Sequence, residues 1–84
     1  MTTTMSESAA RDLLAEILAE IAPESDPDQI DPDSELQLQL DIDSIDFLRY
    51  VDAIATRTGL PLPEEDYARV ATLSGAVCYL CTGR

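Results

Sequence analysis

The sequence predicts an all-α protein, a four-helix bundle with a long loop between its first and second helices and a short third helix. Apolar residues recur at helical spacing in three segments, and prolines, glycines and acidic runs lie between those segments. The length of 84 residues allows a single domain, 1–84, with a thin aliphatic core and no room for a deep catalytic cleft.

The first helix follows a polar tail at residues 1–5, which we expect to be flexible. Thr4 and Glu7 fit a capping box, in which Thr4 caps the helix and the Glu7 carboxylate bonds back to the cap. Pro23 ends the helix near Ala22. The apolar stripe consists of Ala10, Leu13, Leu14, Ile17, Leu18 and Ile21.

The long connection at 23–43 holds three of the five prolines and eight of the seventeen carboxylates. Leu36, Leu38 and Leu40 alternate as in a strand, but no other segment offers a strand partner. We therefore expect an extended loop that lays these leucines over a helical core. Its acids lack the turn glycine and distal glutamate of a calcium loop, which favours a solvated acidic segment; they are Glu24, Asp26, Asp28, Asp31 and Asp33.

The second helix begins at Asp43 or Ser44 and ends at Gly59, which suits a left-handed stop. We expect Ile45 to lie near the edge of the apolar stripe and to be exposed. The predicted buried stripe is Phe47, Leu48, Val51, Ile54 and Ala55, and the opposite face carries Asp46, Arg49, Ala53 and Arg57.

Pro63 opens the short third helix, and Thr72 caps a fourth helix that buries Leu73, Val77 and Leu80. Cys78 and Cys81 have the spacing of half a zinc site or a redox pair. The chain has no second ligand pair and no histidine, so we expect buried or half-buried apolar roles for both.

The net charge of −12 excludes most nucleic-acid partners, which need a basic surface, and disfavours anionic membranes. No apolar run is long enough to insert into a bilayer, and residues 1–6 do not resemble a signal peptide. These features indicate a cytoplasmic protein that is steered towards basic patches on other proteins.

Ser44 is the candidate functional residue. If Asp43 caps the helix, the Ser44 hydroxyl is released from capping and lies at the positive end of the helix dipole, where a phosphate ester is favoured. No histidine is available to act as its base, so repeated nucleophilic turnover is disfavoured and a single modification is favoured. The simpler alternative is a serine that only helps to start a helix.

Two runs, Ile30-Asp31-Pro32-Asp33-Ser34-Glu35-Leu36 and Leu40-Asp41-Ile42-Asp43-Ser44-Ile45, resemble the acyl carrier protein family. The helix order, the Gly59-Leu60-Pro61 stop and the acidic third helix extend the resemblance over roughly residues 6–82.

The resemblance implies that Ser44 carries 4′-phosphopantetheine, attached by a separate phosphopantetheinyl transferase, and that Asp43 supports this loading. The arm would hold acyl groups as thioesters for acyltransferases, ligases or synthases of lipid metabolism, such as fatty acid biosynthesis, or of secondary metabolism. The protein itself would be a monomer and not an enzyme. Ile45, Asp46 and Arg49 are the expected partner contacts.

The chain departs from the family pattern in two respects. Asp41 stands where a glycine is usual, and Arg49 and Arg57 balance Asp46 and Asp52 on a helix face that is usually acidic. The second departure makes a dedicated pathway at least as good an interpretation as general fatty acid synthesis. A peptidyl or aminoacyl carrier, and an unmodified acidic adaptor, remain as alternatives.

Overall fold

The computed structural model describes residues 5–82, which form the predicted all-α bundle. Its α-helices are α1 (Glu7–Ile21), α2 (Leu36–Gln39), α3 (Ser44–Thr58) and α4 (Leu73–Thr82). Two 3₁₀ helices, Pro27–Gln29 and Glu64–Val70, complete the secondary structure of the described residues. The 3₁₀ helix Glu64–Val70 is the short third member of the bundle; it packs on α4, and α1 packs on both α3 and α4.

Helix α1 begins later than the capping box predicts, and that prediction was wrong. Ser6 is the N-cap, and its hydroxyl oxygen accepts a hydrogen bond from the Ala9 N–H at 3.1 Å. Glu7 is thus the first helical residue, and its carboxylate pairs with Arg11 at 2.8 Å. Thr4 and the rest of residues 1–4 lie outside the described residues. Met5, the end of the predicted tail, is half-buried against the core.

The long connection is more ordered than an extended loop, which corrects the prediction for its leucines. Leu36 begins α2 and Leu40 caps its C-terminal end, one helical turn later; Leu36 is fully buried and Leu40 is half-buried, while Leu38 is 77% exposed. Leu36 and Leu40 therefore pack as an i,i+4 pair rather than as alternate residues of a strand. The segment is attached to the bundle by the bond from Leu36 N–H to the Ala71 carbonyl, at 2.8 Å.

Helix α3 turns a slightly different face to the core than the sequence predicts. Val51 and Ile54 are buried as expected, but Tyr50 is also fully buried, and Leu48 is 49% exposed. Tyr50 can occupy the core because its hydroxyl donates a buried hydrogen bond to the Val70 carbonyl oxygen at 2.9 Å. That contact links α3 to the 3₁₀ helix, and Leu48 lies outside the buried stripe.

The end of α3 and the start of α4 lie where the sequence predicts them. Gly59 terminates α3 in the left-handed region with φ of 73°, and Leu60 packs back against the core. Thr72 caps α4, with the Gly75 N–H donating to its hydroxyl oxygen at 3.0 Å. The expectation for the cysteines was wrong in part: Cys81 is half-buried, but Cys78 is exposed because it faces away from the packed side of α4.

Candidate functional site

The candidate site is the first turn of α3, which begins at Ser44 as predicted. Asp43 has extended backbone angles, and its carboxylate oxygen Oδ1 accepts a hydrogen bond from the Asp46 N–H at 2.8 Å. The Asp43 carbonyl oxygen accepts the first helical bond, from the Phe47 N–H at 3.0 Å. Asp43 therefore satisfies the capping requirement of the helix, and Ser44 is not needed for it.

The Ser44 side chain is exposed, and its hydroxyl makes no hydrogen bond to any other described residue. Because Asp43 accepts from Asp46, the backbone N–H groups of Ser44 and Ile45 are left without a protein partner in the described part of the chain. The fifteen-residue length of α3 gives this end a full helix dipole. An oxygen-linked phosphate fits here, since both the free N–H groups and the dipole stabilise negative charge.

The backbone that leads into the site contains a left-handed residue, Asp41, with φ of 53°, and no other non-glycine residue in 5–82 has a positive φ. Glycine adopts this conformation at no steric cost, whereas aspartate is one of the few other residues that tolerate it. The structure thus gives a physical reason for the glycine that is usual at this position in the family that the sequence resembles. Asp41 keeps the turn and adds an exposed carboxylate three residues before Ser44.

Gln39 holds the loop before the site, a role that the sequence analysis missed. Its side-chain Nε2 donates to the carbonyl oxygens of Asp31 at 2.8 Å and Ser34 at 3.0 Å, and its Oε1 accepts from the Asp31 N–H at 2.9 Å. A glutamine is the residue type that can donate and accept in this way at once. The sequence feature that could have indicated this role is the position of Gln39 between the apolar residues Leu38 and Leu40.

The loop carboxylates that form hydrogen bonds accept them mainly from groups of the loop itself. Asp31 accepts from the Asp33 N–H and from the Ser34 hydroxyl, both at 2.9 Å, and these bonds lower the pKa of its carboxyl group. Asp26 accepts similarly from the Asp28 N–H at 3.0 Å. Within residues 5–82, no group of three or more potential ligand side chains is arranged to hold a metal ion.

The surface next to Ser44 combines apolar and charged side chains. Ile45 is 63% exposed, as predicted, and Leu48 extends the same apolar surface one turn further along α3. Arg49 is exposed on this surface, and Asp46 is half-buried beside it. Arg57, in contrast to Arg49, forms an ion pair within the chain, because its guanidinium lies 3.4 Å from the Glu16 carboxylate of α1. Leu48 is thus the residue of this surface that the sequence analysis placed in the core.

A protein-family model described as the phosphopantetheine attachment site matches residues 12–80 of the chain. None of the curated proteins is a significant match. No helix in the described part, 5–82, has the length and apolar character needed to cross a bilayer.

Proposed function

Because the chain belongs to the phosphopantetheine-attachment family, in which the prosthetic group is bound covalently, we propose that it is an acyl carrier protein and that its Ser44 hydroxyl carries 4′-phosphopantetheine. The observation that supports this assignment is the state of that hydroxyl. It is exposed and not hydrogen-bonded to the described residues, and it lies at the N-terminus of α3 behind an aspartate that already caps the helix.

Ser44 and its neighbours have different roles in the attachment of phosphopantetheine. In loading, the Ser44 hydroxyl gives up its proton and its oxygen attacks the phosphorus on the pantetheine side of the coenzyme A pyrophosphate, so that the pyrophosphate bond breaks and adenosine 3′,5′-bisphosphate leaves. The unpartnered N–H groups at the helix start favour the negative charge of the resulting phosphate diester. Asp43 holds the first turn of α3 in place through its bond to Asp46 and supports the reaction of a separate phosphopantetheinyl transferase. The protein is the substrate of that enzyme and is not itself an enzyme.

When bound, the arm supplies a thiol that holds an acyl group as a thioester, while the protein supplies the surface that partner enzymes recognise. These partners are acyltransferases, ligases or synthases of lipid or secondary-metabolite synthesis, in a dedicated pathway. Ile45, Asp46 and Arg49 are the contact residues we propose, since they lie within two turns after Ser44 on α3. The carrier acts in the cytoplasm as a monomer.

The loading experiment is direct. The purified protein is incubated with coenzyme A and a promiscuous phosphopantetheinyl transferase, and its intact mass is measured. We expect a gain of one phosphopantetheine group in the wild type and in Ser8→Ala, a control at an exposed serine of α1, and no gain in Ser44→Ala.

An unchanged wild-type mass would favour the unmodified adaptor and overturn the carrier function. The loaded protein is then incubated with transferases that use acyl-coenzyme A and, separately, with ligases that activate amino acids. Acylation by the transferases indicates an acyl carrier, and aminoacylation by the ligases indicates a peptidyl or aminoacyl carrier.

A further inference from the structure

The exposed side of α3 carries an apolar pair with an arginine beside it. Ile45, Leu48, Arg49 and Asp52 follow the i, i+3, i+4, i+7 spacing of one helix face, and all four are exposed. Ile45 and Leu48 are two of the exposed large apolar residues of the described chain, and they begin one residue after Ser44. Apolar side chains in this position gain free energy when a partner removes them from water.

Arg49 differs from the other arginines of the described chain. Arg11, Arg57 and Arg69 each pair with a carboxylate, at 2.8, 3.4 and 3.8 Å respectively. Arg49 forms no ion pair within residues 5–82, although Asp46 and Asp52 stand three residues to either side on the same helix. In a chain of net charge −12, an arginine without an acidic partner is uncommon, and this one lies on the same helix face as the apolar pair.

We propose that the α3 face of Ile45, Leu48 and Arg49 docks on a partner enzyme that presents an apolar pocket beside a carboxylate. The proposal rests on the carrier function proposed above and specifies the partner that the same site requires. Burial of Ile45 and Leu48 brings Arg49 to the interface, and an arginine buried against a basic surface has no compensating charge. A carboxylate at that point pairs with it instead.

The net charge of the whole protein and the single charge of Arg49 have separate effects on partner binding. The overall negative charge attracts any partner with a basic surface over a distance and raises the rate of encounter. Arg49 acts only in contact, where like charges in apposition weaken the complex and an opposite charge strengthens it. Its effect is therefore to select among basic partners, against those whose docking surface is basic throughout.

The test uses as its probe a malonyl transferase of general fatty acid synthesis, whose docking surface is basic. Wild type, Arg49→Glu and Arg11→Glu are first loaded with phosphopantetheine, and loading is verified by intact mass. A failure of the carrier function therefore appears before the transfer assay begins. Arg11→Glu makes the same change in net charge on α1, at an exposed arginine away from Ser44.

We expect kcat/KM for malonyl transfer to rise about fivefold in Arg49→Glu, mainly through KM, and to change less than about twofold in Arg11→Glu. Equal increases in both variants would mean that net charge alone acts, and would overturn the proposal. A kcat/KM for Arg49→Glu that does not exceed the wild-type value would also overturn the proposal, whether both proteins react with the probe or neither does.

A second arm tests for the carboxylate itself. Each docking-surface lysine or arginine of the probe is replaced by glutamate in turn. At one position, the replacement should improve transfer to the wild type about fivefold and weaken transfer to Arg49→Glu, a reversal of sign that a structural effect would not produce. If no position shows this reversal, a carboxylate opposite Arg49 is excluded.

The apolar half of the surface is tested by Leu48→Ala. Because Leu48 is half-exposed in the free protein, its loss should leave the urea midpoint close to that of the wild type. We expect KM for the probe to rise about tenfold in this variant. An unchanged KM would contradict the docking of this face.

Discussion

The hydroxyl of Tyr50 offers a sharp test of how the bundle is held together. The side chain is fully buried, and its hydroxyl donates to the Val70 carbonyl oxygen at 2.9 Å, so the bond joins α3 to the 3₁₀ helix Glu64–Val70. Tyr50→Phe removes the oxygen and leaves the ring in place. The variant therefore isolates one buried hydrogen bond from the packing around it.

The expected loss follows from the two consequences of that removal. A buried hydrogen bond contributes a net of about 1 kcal/mol, but removal of one partner alone costs about 1–3 kcal/mol because it leaves the buried acceptor unsatisfied. No other donor reaches the Val70 carbonyl oxygen in the described part of the chain. We expect the free energy of unfolding to fall by about 2 kcal/mol, a large share of the stability of so small a domain.

Urea unfolding followed by circular dichroism at a helical band measures this change. Tyr67→Phe is the matched control, because Tyr67 is half-buried and its hydroxyl makes no hydrogen bond within residues 5–82. The control should differ from the wild type by less than about 0.5 kcal/mol. If Tyr50→Phe were as stable as Tyr67→Phe, the buried hydroxyl would not stabilise the fold and the reasoning would fail.

Three further predictions follow from the same structure. Gln39→Ala removes three hydrogen bonds to the loop, so unfolding should cost about 2 kcal/mol less and amide exchange over residues 31–40 should accelerate. Gly75→Ala places a Cβ in steric clash with the Arg69 carbonyl oxygen; we expect a lower thermal midpoint, since this clash outweighs a helix-propensity gain of about 1 kcal/mol. Burial raises the pKa of Tyr79, whose hydroxyl donates to the Pro61 carbonyl oxygen at 2.7 Å, and it also raises the pKa of Tyr50. Their stabilising effect is complete below about pH 10, the pKa of unfolded tyrosine, and is lost as the pH rises through the folded pKa values; alkaline titration should show tyrosinate absorbance and loss of helicity rising together.

The two ends of α3 and the start of α4, which depend on local chemistry, were predictable from the sequence, whereas the local capping signal at the start of α1 was assigned to Thr4 instead of Ser6. Asp43 and Ser44 at the start of α3, Gly59 at its end and Thr72 before α4 each perform the role that their side chains or backbone freedom favour. These signals act between residues a few positions apart, so a single sequence contains them in full.

The features that depend on tertiary contacts were not predictable in the same way. Leucines at 36, 38 and 40 fit a strand and a helical turn equally well, and the bond from Leu36 to Ala71 accompanies the helical form. The hydroxyl of the buried Tyr50 is satisfied by the Val70 carbonyl oxygen, twenty residues along the chain. Leu48, which periodicity alone assigns to the core, is half-exposed.

The candidate site shows the same division. The sequence predicted the start of α3 at Ser44, its aspartate cap and the exposure of Ile45 from local pattern. It did not identify Gln39, because the bonds of that side chain depend on where the loop backbone at Asp31 and Ser34 folds.

The central claim is that the oxygen of Ser44 accepts the phosphopantetheine group. The most direct measurement is fragmentation mass spectrometry of proteolytic peptides after reaction with coenzyme A and the transferase, which locates the added group on the chain. The account predicts one modified residue, Ser44, in a peptide that releases the pantetheine arm on fragmentation. A group found on any other residue, or every serine recovered unmodified from a reaction in which a known carrier protein is loaded, would contradict it.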